Sequence, residues 1–238
     1  MREAAKLPSS VCKADLRHNR HMIQGAIFDV DGTLMDSMWI WEQAFIEFAQ
    51  AHGIDSEETF ATQFFSMSLS EGAHFIKREC GLSQSPAEIT GDLAERANYI
   101  YMEKAQLKPN VYAFLTSLAS ADIPLTIVTS GEKNLVENVL GKLGVLPLFS
   151  KIYAATNEHI SKREPDLWLR AQSLMGSSPE KTWVFEDATY AIAVTKQLGF
   201  RTVAIEDQHD SANCEKARAL AELSWSEYPM QLPPEILH

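Results

Sequence analysis

Two kinds of apolar pattern alternate along the chain. Four short apolar runs are typical of buried strands, and they read IQGAIF, PLTIVT, TWVFE and RTVAI. Longer stretches between them carry apolar residues three or four positions apart and predict helices. Strands that alternate with helices predict an α/β fold, with a Rossmann-like parallel sheet at the core and helices on both faces.

The stretch between the first two runs is too long for a simple crossover. From about Asp36 to Lys108 it contains no strand-like run, and it predicts several helices. One of them is expected to begin at the Ser-Pro pair Ser85 and Pro86. We therefore expect a small all-helical cap subdomain over residues 37–107, inserted after the first strand. The core would then comprise residues 22–36 and 108–238.

A stripe of large apolar residues opens the predicted cap. It consists of Met38, Trp41, Phe45 and Phe48, and its helical spacing favours a face that packs against neighbouring helices. Only Met38 and Trp39 follow the first strand closely enough to contact a substrate bound at its end.

The first 21 residues have a different character from the rest. Their charges are scattered and no apolar run interrupts them, so we expect neither a signal peptide nor a membrane anchor in this stretch. We expect this leader to be poorly ordered, or to precede the native start, with the fold beginning near Met22.

Composition narrows the possible partners. The chain is 45% hydrophobic, and its net charge of -11 argues against binding to nucleic acid or to an anionic membrane. Cys12, Cys80 and Cys214 are far apart and share no metal-ligand or redox spacing. A reducing compartment fits best, and we expect a cytoplasmic monomer that acts on a small molecule.

The segment AIFDVDGTLMDS carries the most distinctive chemistry. Asp29 and Asp31 follow an apolar strand two residues apart, so both side chains face the same side of an extended chain. Gly32 permits a tight exit from the strand, and Thr33 can satisfy backbone donors, brace Asp31 or contact a substrate. An Asx-type turn at the strand end is the alternative, and it explains one of the two carboxylates but not both.

Three further groups of polar residues are weak signals individually. Thr129, Ser130 and Gly131 follow the second run and are typical of a turn. Lys162 and Arg163 precede Pro165, as expected for an exposed basic turn before a helix. Glu186 and Asp187 end the third run, where a carboxylate can also cap the next helix.

Taken together, these segments resemble the motifs of the haloacid dehalogenase superfamily. The DxDGT sequence is specific, the other motifs occur in the family's order, and the resemblance extends to about Asp207. It implies that Asp29 attacks phosphorus and forms an aspartyl-phosphate. Asp31 would protonate the leaving oxygen and then deprotonate the hydrolytic water, roles that suit paired carboxylates.

The resemblance also implies roles for the weaker groups. Thr129, Ser130 and Gly131 would bind the phosphoryl oxygens, and Lys162 would face both the phosphate and Asp29. Mg²⁺ would be held by carboxylates and a backbone carbonyl, an oxygen ligand set that suits this ion. Its implied ligands are Asp29, the backbone carbonyl of Asp31, Glu186 and Asp187.

The chain departs from the family pattern at two places. Relatives commonly read Lys-Pro-x-Pro where this chain has Arg163 after Lys162, so Arg163 is the alternative cation. Ala188 and Ala191 replace residues that are often Ser and Gly, which removes a possible hydrogen bond near the metal but keeps both side chains small.

The predicted function is that of a phosphatase acting on a sugar, polyol or nucleotide phosphate. The helical cap resembles that of beta-phosphoglucomutase, so a sugar phosphomutase is the alternative. A mutase needs cap cations to hold a second phosphate, and the candidates are Lys77, Arg78, Arg96 and Lys104. A non-catalytic phosphate-binding module and a phosphonate hydrolase with a cap lysine are more remote alternatives.

Overall fold

A computed structural model describes residues 23–54, 64, 67, 69–208 and 211–237. The predicted leader lies outside these described residues. The strands are β1 Gly25–Phe28, β2 Met35–Asp36, β3 Gln106–Leu107, β4 Leu125–Thr129, β5 Lys151–Ala154, β6 Thr182–Glu186, β7 Arg201–Ile205 and β8 Leu223–Trp225. The helices are α1 Ile40–His52, α2 Leu69–Cys80, α3 Pro86–Lys104, α4 Val111–Ser120, α5 Lys133–Lys142, α6 Ala155–Glu158, α7 Pro165–Met175, α8 Thr189–Gln197, α9 Ser211–Leu220 and α10 Pro234–Leu237.

Six strands form a parallel sheet in the order β5-β4-β1-β6-β7-β8. The four predicted runs supply β1, β4, β6 and β7, and nearly all of their residues are buried. Burial on both faces explains why these strands are continuously apolar. The predicted α/β fold is thus confirmed.

Helices cover both faces of this sheet. Phe28 packs on one face, where its ring stacks on Phe185 at a centroid distance of 4.4 Å. Ile27 packs on the opposite face in a second cluster that contains Val184 and Trp168. Consecutive residues of a strand point to opposite faces, so each strand contributes to both clusters.

The expectation that the insert contains no strand is wrong at its margins. Met35–Asp36 and Gln106–Leu107 pair antiparallel, with Met35 opposite Leu107. Two residues are too few to produce a periodic signal in the sequence, and the pairing depends on residues about seventy positions apart. This ribbon joins the two ends of the helical insert.

The helices of the insert share an apolar cluster of their own. Its buried members are Phe45, Phe48, Phe64, Ala73, Ile76, Ile89 and Leu93. Helix α3 begins with a capping box, in which the Ser85 side chain accepts from the Glu88 amide and Glu88 accepts from the Ser85 amide. The insert thus has an apolar cluster of its own, and the division into a cap over residues 37–107 and a core stays a prediction.

Only the second half of the predicted apolar stripe packs as expected. Phe45 and Phe48 are fully buried, whereas the exposed fractions of Met38 and Trp41 are 42% and 44%. Helix α1 begins at Ile40, so Met38 precedes it. The first half of the stripe is therefore available to line an open cavity.

Candidate active site

The predicted site residues converge at the carboxyl edge of the sheet. Asp29 directly follows β1, Thr129 ends β4 and Glu186 ends β6. Strand β1 lies between the other two, so the three strand ends are neighbours. Parallel sheets commonly form their sites at this edge, because loops there leave the strands with side chains free to converge.

Lys162 lies in the loop between α6 and α7 and reaches into the site. Its Nζ donates to Asp29 Oδ1 at 2.7 Å and forms an ion pair with Glu186 Oε1. Burial by itself would lower the pKa of this ammonium group, but the charges of Asp29 and Glu186 outweigh that effect and raise the pKa. Lys162 therefore stays protonated and pairs with the predicted nucleophile.

The alternative cation, Arg163, points elsewhere. Its side chain is exposed and its guanidinium lies 4.1 Å from the ring centroid of Tyr190. Lys162 is held in place from behind, because Trp168 Nε1 donates to its backbone carbonyl at 2.9 Å. Of the two candidates, only Lys162 contacts Asp29 within the described part of the chain.

Asp187 lies on the other side of Asp29, against the loop that follows β1. Thr33 Oγ1 donates to Asp187 Oδ1 at 3.2 Å, so Thr33 contacts this carboxylate. Gly32 has a φ of +79°, and a Cβ placed there would lie 2.6 Å from Asp187 Oδ2. The glycine therefore permits both the left-handed turn and the close approach of the carboxylate.

Three carboxylates gather here with one ammonium group. Ligand oxygens of Asp29, Glu186 and Asp187 lie within 4.8 Å of one another. Burial raises the pKa of Asp187 well above its ordinary value, and the negative charges of Glu186 and Asp29 raise it further. A divalent cation that prefers oxygen ligands would relieve this repulsion, so the residues fit a metal site.

Glu186 is the most constrained member of this cluster. It is fully buried, Oε1 pairs with Lys162, and Oε2 accepts from the Ala188 amide at 2.7 Å. These contacts hold Lys162 against Asp29. The free ligand positions of the site therefore belong mainly to Asp29 and Asp187.

Asp31 lies at the part of the site next to the insert. Ser37 Oγ donates to Asp31 Oδ1 at 2.6 Å, and the hydroxyl of Tyr101 on α3 lies near enough to the carboxyl group to lower its pKa. Burial raises the pKa of Asp31, the Ser37 hydrogen bond opposes the rise, and the charge of Asp29 adds to it. A raised pKa keeps this carboxyl protonated closer to neutral pH, as a proton donor requires.

The turn after β4 completes the rim of the site. Thr129 is buried, and its Oγ1 accepts from the Gly131 amide at 2.9 Å. Ser130 is exposed at the mouth of the site. A Cβ on Gly131 would lie 3.4 Å from Asp31 Oδ2, so this turn passes close to the predicted acid.

A cavity of about 390 Å³ opens above Asp31, between the insert and the turn after β4. We call it the leaving-group cavity. Met38 lines it as expected, whereas Trp39 does not and instead donates from Nε1 to the Asp36 carbonyl. Its described lining residues are Asp31, Ser37, Met38, Ile40, Trp41, Ala97, Asn98, Tyr101, Ser130, Gly131, Glu132, Leu135 and Val136.

Sequence reasoning assigned no role to Ser37, Tyr101 or Glu132. Ser37 lies inside the first motif, so its position six residues after Asp31 was a usable signal. Tyr101 and Glu132 have no local signal, since they reach the cavity only through the packing of α3 and α5. A larger cavity of about 520 Å³, between Lys108 and Glu227, contains none of the predicted site residues.

A family model for haloacid dehalogenase-like hydrolases matches residues 26–205, which is most of the chain. The chain belongs to this family. The predicted membership and the prediction of a hydrolase are both confirmed.

Within the described residues, no helix combines the length and the apolar character that a membrane span needs.

Two relatives are similar to this chain in sequence, and a solved structure shares its fold. Hexitol phosphatase A from Escherichia coli is 30% identical over 190 residues, covering 79% of this chain and 85% of that protein. Validoxylamine A 7'-phosphate phosphatase from Streptomyces hygroscopicus is 27% identical, covering 86% and 97%. The crystal structure of beta-phosphoglucomutase from Clostridium difficile has a TM-score of 0.61 and 21% identity, covering 90% and 95%.

Proposed function

We propose that this hydrolase is a Mg²⁺-dependent phosphatase that cleaves a small organic phosphate monoester through an aspartyl-phosphate on Asp29. The contact between Lys162 and Asp29 carries the proposal. A buried ammonium group at 2.7 Å offsets the charge of the carboxylate as it meets a phosphate, without blocking its second oxygen.

In the first step, Asp29 attacks phosphorus and the bond from phosphorus to the ester oxygen breaks. Asp31 gives its proton to that oxygen, so the leaving group departs as a neutral alcohol. The geometry supports this role, because Asp31 lines the leaving-group cavity and its pKa is raised. Thr129 and the backbone amides of the following turn would orient the phosphoryl oxygens.

In the second step, Asp31 is a carboxylate and acts as a base. It takes a proton from a water molecule that attacks the phosphorus of the aspartyl-phosphate. The bond between phosphorus and Asp29 breaks, inorganic phosphate leaves, and Asp29 and Asp31 return to their starting states. Hydrogen bonds from Ser37 and Tyr101 would hold the Asp31 carboxylate in place during this step.

Asp29, Asp187 and the backbone carbonyl of Asp31 would hold Mg²⁺, with Glu186 beside them. When bound, the ion would offset the negative charge that the phosphate adds to this cluster. The three converging carboxylates, of which Asp29 and Glu186 are buried, are the observation that favours it.

The alternative mutase function is not favoured by the cap. A mutase must hold a second phosphate, yet the four cap cations do not line the leaving-group cavity. Lys77 donates to the carbonyl oxygens of Leu82 and Gln84. Arg78, Arg96 and Lys104 pair with Glu79, Asp92 and Glu47. A phosphonate hydrolase with a cap lysine is disfavoured for the same reason.

The two relatives named as phosphatases support the same outcome. By analogy with them, a phosphorylated polyol or cyclic polyol is the substrate class that we propose. Cytoplasmic location and a monomeric state stay predictions.

Replacement of Asp29 by Asn tests the nucleophile. We expect Asp29→Asn to abolish release of phosphate from p-nitrophenyl phosphate with Mg²⁺ while thermal unfolding changes little. Asp166→Asn is the matched control, since that side chain is 73% exposed at the start of α7. Appreciable turnover by Asp29→Asn would show that another group attacks phosphorus.

The intermediate can be tested separately. Asp31→Asn lacks the base of the second step, so quenched reactions with p-nitrophenyl phosphate should contain protein with one added phosphoryl group. Intact-protein mass spectrometry measures the mass of this added phosphoryl group. Its absence, together with normal release of p-nitrophenol, would contradict a covalent pathway.

A further inference from the structure

The leaving-group cavity carries no positive charge among its described lining residues. None of them is Lys, Arg or His, while Asp31 and Glu132 contribute carboxyl groups. The segment 37–107 has Lys77, Arg78, Arg96 and Lys104 as its only lysines and arginines, and each is engaged elsewhere, as described above. The cap residues that the structure does not describe within this segment include no Lys, Arg or His, so they cannot supply the missing cation.

Glu132 gives the cavity a fixed negative group. It precedes α5 as its N-cap, and its carboxylate accepts from the amides of Asn134 at 3.2 Å and Leu135 at 2.9 Å. These two hydrogen bonds hold the carboxylate in one place at the start of α5. A carboxylate fixed in this way repels any anionic group that enters the cavity beside it.

The remaining lining suits an uncharged carbon skeleton. Met38 and Trp41 are exposed large apolar residues that border the cavity, and Leu135 borders it from the core. They offer an apolar surface to the carbon atoms of a ligand. Asn98 and Ser130 add groups that can donate and accept hydrogen bonds from hydroxyls.

From this charge pattern we infer that the enzyme selects phosphate monoesters whose leaving group carries no second negative charge, and that Glu132 excludes those that do. This inference rests on the proposed phosphatase function and deepens it. Esters of neutral alcohols are accepted, whereas bisphosphates and phosphorylated carboxylic acids are rejected. The phosphate that reacts is unaffected, because Lys162 and the metal site receive it outside this cavity.

Substrates that differ only in charge test the inference. A hexitol phosphate carries a hydroxymethyl group where the matching hexonate phosphate carries a carboxylate. Glycerol phosphate and phosphoglycerate differ in the same way. We expect kcat/KM to favour the neutral member of each pair by about 10- to 100-fold, the size expected for like charges some ångströms apart near a protein surface. Equal or better turnover of the anionic members would overturn the inference.

A variant assigns the effect to one residue. Glu132→Gln keeps an oxygen that can cap α5 but removes the charge, so the preference for the neutral member should shrink several-fold. Glu137→Gln, on the same helix and outside the cavity lining, is the control and should leave the ratio unchanged. An unchanged ratio in Glu132→Gln would overturn the role of this residue.

The outcomes also separate this inference from the proposed function. If p-nitrophenyl phosphate and both members of each pair are hydrolysed equally, the phosphatase proposal stands and only charge selection is wrong. If no phosphate ester is hydrolysed, the phosphatase proposal fails and the inference falls with it. Hydrolysis of p-nitrophenyl phosphate but of neither neutral alcohol ester would overturn the proposed leaving-group class.

Discussion

At the scale of single residues, Lys162 differs from its neighbour in what it touches. It is 3% exposed and lies between Asp29 and Glu186, whereas Arg163 is exposed beside Tyr190. Adjacent cations in one basic turn can thus have unrelated environments. The local sequence could not distinguish them, because the expected proline after the lysine is absent.

We predict that Lys162→Ala lowers kcat by about 10²–10³-fold, the usual cost of removing a charged group that stabilises a transition state. It also leaves two buried carboxylates without their partner, so the melting temperature should fall. Arg163→Ala should change kcat less than about threefold. Steady-state kinetics with Mg²⁺ measures both, and a larger loss in Arg163→Ala would reverse the assignment.

Tyr101 joins the insert to the predicted acid and base. It is buried on α3, and its hydroxyl donates to Met35 Sδ at 3.6 Å and lies beside the Asp31 carboxyl group. The phenol has a raised pKa, because burial and then the negative charge of Asp31 disfavour its ionised form. A neutral phenol can turn its O–H towards the Asp31 carboxylate, so we propose that Tyr101 positions this residue.

Tyr101→Phe should lower the single-turnover rate of leaving-group release by about tenfold for an alkyl phosphate. The rate with p-nitrophenyl phosphate should change much less, since p-nitrophenolate leaves without a proton. Tyr99→Phe is the control, because Tyr99 is 66% exposed on the same helix. Equal losses with both substrates would indicate a structural role only.

At the scale of elements, the turn after β1 decides the geometry of the metal site. Gly32 adopts a φ of +79° and lies against the Asp187 carboxylate. The turn directly follows Asp29, which lies in the carboxylate cluster, and Asp31, which lines the leaving-group cavity. A side chain at this position would disturb both.

Gly32→Ala should weaken Mg²⁺ binding by at least about tenfold, because the new Cβ displaces Asp187. Gly53→Ala is a matched control: Gly53 has a φ of +65° at the end of α1, and no described atom lies within 4 Å of a Cβ there. Both variants should lose about 1 kcal/mol of stability from the backbone conformation. Calorimetric titration with Mg²⁺ separates them, and equal affinities would refute the contact.

The sequence did not predict the two edge strands of the sheet, β5 and β8, or the short ribbon of β2 and β3. Strand β5 begins with exposed Lys151, and every residue of β8 is only half-buried, so neither forms an apolar run. Both lie at the edges of the sheet. Central strands are buried on both faces, so they can be recognised in the sequence as apolar runs. Edge strands mix polar and apolar positions and give no such run.

At the scale of the whole molecule, the site gathers several carboxyl groups away from solvent. Asp31 and Asp187 have raised pKa values, chiefly because of burial. The folded protein without metal therefore keeps protons that the unfolded chain releases. Its stability should fall as the pH rises above the ordinary carboxyl pKa near about 4.

Mg²⁺ should reverse this loss at neutral pH. At a concentration about 100 times its Kd, we expect the melting temperature to rise by roughly 5–10 °C. The rise should be smaller at pH values near 5, where protons compete for the carboxylates. Asp187→Asn should melt higher than the wild type without metal and show little response to Mg²⁺. Differential scanning calorimetry checks both, and an unchanged Mg²⁺ response in Asp187→Asn would exclude that carboxylate as a ligand.

The sequence by itself determined the α/β fold, the helical insert and the carboxylates at the strand ends. The sequence predicts these features because buried parallel strands are continuous apolar runs. A parallel sheet also brings the carboxyl ends of its strands together at one edge. Asp29, Asp31, Glu186 and Asp187 could thus be placed near one another without coordinates.

Only the tertiary structure decided which basic residue reaches Asp29 and what lines the leaving-group cavity. Tyr101 on α3 and Glu132 before α5 line this cavity together with Asp31, and the cap cations are engaged outside it. Such contacts depend on how helices pack and on which partners the side chains find across long separations in the sequence. Residue spacing along one segment does not predict such contacts, and for that reason the inference of charge selection needed the tertiary structure.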